Sequence, residues 1–165
     1  MRREYLIKIS TAMILLAIGT ITSIYIDNPA VLGLTSITSL LLYISARKTS
    51  NIYGKTRNIK IVNTLTPNLT EFTSLITMAV FNPEPIVSAI VIGLVGLSIG
   101  FKSEVSKSLS KSVPEAIGRL ERVSMLSIIL LAGQFNEYFI LYGSIGLITI
   151  VSASTTYTVY SLVSR

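Results

Sequence analysis

Any chemistry in this chain has to come from carboxylates, hydroxyls, Lys and Arg, because its 165 residues include no Cys and no His. That composition excludes disulfides, thiolate nucleophiles, histidine general bases and Cys/His zinc sites. Acids are scarce: eight Asp and Glu stand against fourteen Lys and Arg, for a net charge of +6. The residues that could bind or react gather in three polar segments of an otherwise apolar chain.

The first polar segment, residues 47–60, carries five basic side chains, one glycine and several hydroxyls, and no acid. Lys and Arg donate charge-assisted hydrogen bonds to phosphate, and a glycine lets backbone N–H groups approach an anion. We therefore predict a basic cytoplasmic loop in which Arg47, Lys48 and Arg57 bind phosphate or a lipid headgroup. The alternative is that this loop only orients the flanking helices in a membrane.

The second polar segment contains Glu71, an acid that stands far from any other in the sequence and is the only candidate for a catalytic carboxylate. Pro67 and Asn68 are typical of a helix start, and Asn68 precedes Glu71 by the spacing of a capping box. One interpretation makes Glu71 a capping carboxylate close to a membrane interface. The other makes it the partner of a bound cation, or of Arg119 or Arg122.

The third polar segment, residues 115–122, holds two arginines and two glutamates just before an apolar stretch. Helical spacing places Arg119 and Arg122 on nearly one face, and Gly118 would let a neighbouring helix come close. We predict that both arginines bind a phosphate or headgroup, with Gly118 and Glu121 in supporting roles. The alternative is that the arginines only snorkel from a helix end to the membrane surface.

The elements that must position these segments are apolar stretches, and six of them are separated by short polar turns. Hydrocarbon tolerates only segments that satisfy their own backbone hydrogen bonds, and the chain lacks the alternation of a strand. We predict an all-α integral membrane protein, with residues 1–165 forming one six-helix transmembrane domain. The predicted spans are 7–26, 30–46, 61–81, 86–101, 123–134 and 138–163.

The distribution of charge predicts the orientation of these spans. Alternating them places all fourteen Lys and Arg on one side, whereas Asp27, Glu84 and Glu137 mark the turns on the other. By the positive-inside rule, both termini and the polar juxtamembrane stretch 102–119 are cytoplasmic, in a multi-pass protein of the cell (plasma) membrane. The basic residues then face anionic headgroups, and the aromatic and glycine interleaving of a nucleic-acid surface is missing.

The sequence Gly118-Arg-Leu-Glu-Arg122, at the start of an apolar stretch, resembles the fifth-helix motif of the CDP-alcohol phosphatidyltransferases, especially the archaeal inositol-phosphate type. Those enzymes have six transmembrane helices, cytoplasmic termini and a polar stretch before the fifth helix. Their active site lies at the cytoplasmic junction of the second and third helices. The resemblance implies a transferase in which an alcohol displaces CMP from a CDP-linked lipid.

The chain departs from that family's signature, D-x2-D-G-x2-A-R-x8-9-G-x3-D-x3-D, at most of its acids. Ala46-Arg47 stands in the place of the A-R pair, but Ser39, Leu42 and Tyr43 then occupy the positions of D, D and G. Glu71 could stand at the final acid, so at least three of the four carboxylates are missing. Divalent cations need several anionic oxygen ligands. We therefore predict no metal and no cofactor, with Mg²⁺ required only if the family mechanism survives.

Two functions follow as expectations. The first is a CDP-alcohol phosphatidyltransferase-like protein of phospholipid metabolism, catalytically degenerate or altered in its chemistry. It would bind membrane lipids, a CDP-linked lipid among them, as a homodimer or with a partner subunit, and would not bind nucleic acid. The second is a small non-enzymatic polytopic membrane protein, such as a transporter subunit or assembly factor. Only the first requires Glu71, Arg119 and Arg122 to converge on one cytoplasmic cavity.

Overall fold

The computed structural model describes residues 2–52, 57–109 and 117–163, and within these ranges the chain forms helices and short turns without a strand. The prediction of an all-α chain with six helices is confirmed. Segments of three helices, Glu4–Ile26, Pro29–Lys48 and Tyr138–Ser161, are long and apolar enough to cross a membrane. The helices are α1 (Arg2–Ile26), α2 (Pro29–Ile52), α3 (Arg57–Phe81), α4 (Pro85–Leu109), α5 (Arg119–Gly133) and α6 (Tyr138–Val163).

The three short turns at one end of the bundle share one hydrogen-bond pattern. In each, an asparagine side-chain oxygen accepts a hydrogen bond from the backbone N–H two residues later. Asn28 accepts from Ala30 at 2.9 Å, and the same bond forms at Asn82 and Asn136. Asp27 also takes a left-handed φ of 56°, a conformation that Asp and Asn tolerate. These side chains supply the bonds that the first turn of a helix lacks, so each pair of helices reverses tightly.

At the opposite end the helices extend beyond the apolar stretches. α2 continues through Arg47 and Lys48 to Ile52, and α3 already begins at Arg57. The predicted basic loop 47–60 is therefore wrong for most of its length, and only residues 53–56 of it lie outside the described residues. Loss of hydropathy marks where hydrocarbon would end, whereas a helix ends only where its backbone hydrogen bonding stops. No Pro or Gly occurs between Arg47 and Ile52 to end α2 earlier.

Two further boundaries differ from expectation. Pro67 lies inside α3, ten residues after the helix begins, so the predicted helix start and capping box at Pro67 and Asn68 are wrong. α4 continues to Leu109, so the polar stretch 102–119 begins as helix. Residues 110–116 of that stretch lie outside the described residues. Glu71 is consequently placed in the interior of a long helix, not at its first turn.

All six helices contribute to one apolar core, yet many of the large apolar side chains point outward. Ile21 and Leu97 are about 70% exposed, whereas Ser36, Ser74 and Ser127 are completely buried. Small polar side chains inside and branched apolar ones outside are typical of a helix bundle in lipid, where small residues let backbones approach. The buried core comprises Leu16, Leu32, Leu75, Met78, Val91, Val95, Leu126, Leu130, Ile140, Leu147 and Val151.

The closest approach of α2 to α5 is made at Gly33. A Cβ added there would lie 2.8 Å from the backbone oxygen of Ser127 and 2.8 Å from Cγ of Leu131. Backbone atoms cannot rotate away, so any side chain at this position forces the two helices apart. Gly93 on α4, in contrast, has no atom within 4 Å of the same added Cβ.

We expect Gly33→Ala to destabilise the purified protein by about 1–3 kcal/mol, the usual cost of overpacking. Gly93→Ala, in open space, should leave stability unchanged or raise it slightly, because alanine favours helix. Thermal unfolding in one detergent measures both variants. Equal melting temperatures for the two alanine variants would contradict the close α2–α5 contact.

Candidate functional site

The buried face of α3 carries several polar side chains between Thr66 and Thr77. Its side chains recur at helical spacing, and each is at most 2% exposed: Thr66, Thr70, Glu71, Ser74 and Thr77. The Thr70 hydroxyl donates to the Thr66 carbonyl within the helix, at 3.0 Å. The Ser74 hydroxyl lies 3.2 Å from that of Ser36, which links α3 to α2. This period of hydroxyl residues is visible in the sequence, and it could have identified the buried face of α3.

Glu71 is the charged residue of this face, and α5 brings two arginines to it. Nε of Arg122 donates to Oε1 of Glu71 at 2.6 Å, a short charge-assisted hydrogen bond. Nε of Arg119 lies 3.4 Å from Oε2 of the same carboxylate. Glu71 is 2% exposed and Arg122 5%, whereas the Arg119 side chain is 30% exposed. The interpretation of Glu71 as the partner of Arg119 and Arg122 is confirmed, and its interpretation as a capping carboxylate is wrong.

Three hydrogen bonds hold the first residues of α5 in place. Gly118 has extended backbone, and its carbonyl accepts the first helical bond, from the Arg122 N–H at 3.2 Å. Nη1 of Arg122 donates to the Ile117 carbonyl at 3.4 Å, and the Ile117 N–H donates to Oγ of Ser154 on α6 at 3.2 Å. A helix N-terminus carries partial positive charge, so the Glu71 carboxylate is favoured beside it.

The charged cluster lies halfway along the bundle. Glu71 is ten residues from the end of α3 at Phe81, and Arg122 is eleven from the end of α5 at Gly133. At 1.5 Å per residue, both are about 15–17 Å along the helix axes from the asparagine turns. The expectation that Glu71 lies close to a membrane interface stays a prediction. α5 itself, with 15 residues, spans only about 22 Å.

The enclosed space beside the cluster is small. A cavity of about 10 Å³ between α4, α5 and α6 is lined by Arg122, Ser154, Thr155 and Thr158, among others. That is room for one water molecule with several hydrogen-bond partners. Glu71, Arg119 and Arg122 pair with one another, but they do not line one common cavity as the phosphatidyltransferase hypothesis requires, because Arg122 lines this space and Glu71 lines a groove between α3 and α4. A phosphate can join them only on the exposed side of Arg119 or by displacing Glu71.

The other predicted site residues are surface positions where the structure describes their side chains. Arg47 and Lys48 are exposed on α2, and Glu121 is exposed on α5. Arg57 is in the first turn of α3, and its side chain lies outside the described residues. In the described part of the chain, no three acidic side chains come together in an arrangement that could hold a metal ion. The cluster of Glu71, Arg119 and Arg122 has one carboxylate and two guanidinium groups, so its formal charge is positive by one unit.

Comparison of the chain with protein-family models, with curated proteins and with solved structures finds no match. The functional argument consequently rests on the geometry and charge of the cluster.

The two arginines should differ in their contribution to stability. Arg122→Gln leaves the buried carboxylate without its hydrogen-bonded cation, and we expect a loss of about 3 kcal/mol. Arg119→Gln removes a partly exposed cation that makes no hydrogen bond to Glu71, and should cost about 1 kcal/mol or less. Denaturation in detergent measures both variants.

The matched control for this comparison is Lys8→Gln, which breaks the exposed i, i+4 pair of Lys8 with Glu4 at 2.8 Å. Such pairs contribute only about 0.2–0.5 kcal/mol. If Arg122→Gln were as mild as Lys8→Gln, the buried ion pair would not hold the bundle together.

Proposed function

We propose that this chain is a multi-pass membrane protein that binds the phosphate of an anionic lipid at Arg119 and Arg122. The single observation that carries the proposal is that two arginines one turn apart share one buried carboxylate. The cluster retains a surplus positive charge in a setting of low dielectric, where Coulomb attraction is strong. Arg119 is its accessible member, and its Nε has no hydrogen-bond partner among the described residues.

In this proposal all six helices cross the cell membrane, and both termini are cytoplasmic. The three long apolar helices and the apolar Pro85–Phe101 part of α4 support it. α3 and α5 carry the charged cluster, and their neighbours shield that cluster from lipid. The basic ends of α2 and α3, with Arg47, Lys48 and Arg57, would then contact headgroups at the cytoplasmic surface, where each cation contributes about 1 kcal/mol.

The chemistry that we assign to the chain is binding without metal-dependent transfer. A relative of the CDP-alcohol phosphatidyltransferases would need acids where Ser39 and Leu42 stand, and Ser39 is completely buried. Glu71 is paired with two guanidinium groups, whose positive charges repel a metal cation. We therefore assign the chain as a catalytically degenerate homologue in phospholipid metabolism, with no cofactor, whose ligand is a membrane lipid, a CDP-linked lipid among the candidates.

A second candidate function is favoured by the depth of the cluster. Ionisable residues at mid-membrane, beside a helix that begins there, are features of transporters for anions. The half-length of α5 and the position of Glu71 fit that description. A non-enzymatic transporter subunit would bind a soluble anion at the same arginines, and would not need the lipid part of the ligand.

Binding of CDP-diacylglycerol to the purified protein, with and without Mg²⁺, tests the first function. We expect binding in both conditions without release of CMP. Arg119→Gln should weaken binding about tenfold, the effect of losing one charge-assisted hydrogen bond. The control Lys8→Gln should bind like the wild type, because that cation lies on α1 and already pairs with Glu4.

The Glu71→Gln variant provides a second test of the same site, with an effect in the opposite direction. Glu71 competes with any bound phosphate for the arginines, so its neutralisation should raise the affinity for the lipid several-fold. Release of CMP by the wild type would contradict the degenerate assignment. Equal affinity in the wild type and Arg119→Gln would contradict the site, and binding of inorganic phosphate as tight as that of the lipid would favour the transporter subunit.

A further inference from the structure

A groove of about 400 Å³ lies between α3 and α4, and Glu71 is part of its lining. Phe72 and Ile92 on its walls are 57% and 36% exposed, so the groove opens to the side of the bundle. Its volume lies in the range of ligand sites. Most of the lining is apolar and comes from both helices: Leu65, Leu69, Phe72, Ile92, Val95 and Ile99.

The length of the groove follows from the helix that forms it. Its lining on α3 runs from Leu65 to Leu75, ten residues or about 15 Å along the helix axis. An apolar space of this length that opens to the side of the bundle has room for one extended hydrocarbon chain.

One polar atom of the groove lining is left without a hydrogen bond. Glu71 lines the groove, and its Oε2 has no hydrogen-bond partner among the described residues, whereas Oε1 accepts from Arg122. The residue is 2% exposed. A buried carboxylate oxygen without a hydrogen bond is unfavourable, and a donor that enters the groove would remove that penalty.

The charges around Glu71 decide which kind of donor fits. An ammonium group would be repelled by Arg119 and Arg122, which already neutralise the carboxylate. An anion in this groove would face the Glu71 carboxylate itself. A neutral hydroxyl group is repelled neither by the arginines nor by the carboxylate, and it can donate one hydrogen bond to Oε2.

We propose that the α3–α4 groove binds a neutral long-chain alcohol, with its hydrocarbon chain against the apolar walls and its hydroxyl group donating to Oε2 of Glu71. The site goes beyond the phosphate site proposed above, because it needs neither an anion nor the exposed side of Arg119. Glu71 lines this groove, whereas Arg122 lines the separate water-sized cavity.

The probe for this site is a diazirine derivative of dodecanol, cross-linked to the purified protein in detergent and mapped by mass spectrometry. We expect labelled peptides from α3 and α4. Dodecanol should compete with the probe about tenfold better than dodecyl methyl ether, which has the same chain but no donor. Equal competition by the two would overturn the proposal, because the groove would then select only hydrocarbon.

Two glycines of α4 provide a matched pair of variants. Gly96 lines the groove, and Gly93, one turn away, does not; neither has an atom within 4 Å of an added Cβ. Gly96→Phe should fill the groove and reduce labelling at least tenfold. Gly93→Phe should keep wild-type labelling, and both variants should keep the wild-type melting temperature. Equal labelling of the two variants would overturn the assignment of the probe to this groove.

Discussion

The rest of the structure depends on one ion pair that is almost fully removed from solvent, between Glu71 on α3 and Arg122 on α5. Each of these charges alone would carry a large desolvation penalty at that depth, and only their short contact offsets it. The contact fixes the position of α5 along the axis of α3. The Ile117 N–H bond to Ser154 joins the start of α5 to α6, and Gly33 allows α2 to approach α5 closely at Ser127 and Leu131.

The same pair gives the site its two unlike sides. The carboxylate faces an apolar groove between α3 and α4, and the guanidinium group of Arg122 faces a water-sized polar cavity. Arg119 extends the basic side toward the surface of the bundle. An anion and a neutral hydroxyl group therefore find different partners around one cluster, and this asymmetry underlies both proposals.

The sequence predicted the number and type of the helices, because six apolar blocks in a chain without strand alternation permit little else. It also offered the pairing of Glu71 with Arg119 or Arg122 as one of two interpretations. It offered a helix start at Pro67 and Asn68 within the predicted span 61–81, because these residues have the chemistry of a helix N-terminus, but α3 begins at Arg57 and continues through them. The groove between α3 and α4 could not be predicted from the sequence, because it depends on the distance between these two helices, and no pattern of residues indicates that distance.

The central claim, that Glu71 and Arg122 stabilise the bundle as a pair, is tested most directly by a double-mutant cycle. The free energy of unfolding is measured for the wild type, Glu71→Gln, Arg122→Gln and the double variant. The account predicts a favourable coupling of about 2 kcal/mol or more, with the double variant more stable than Arg122→Gln alone. Additive effects, with the double variant the least stable of the four, would contradict it.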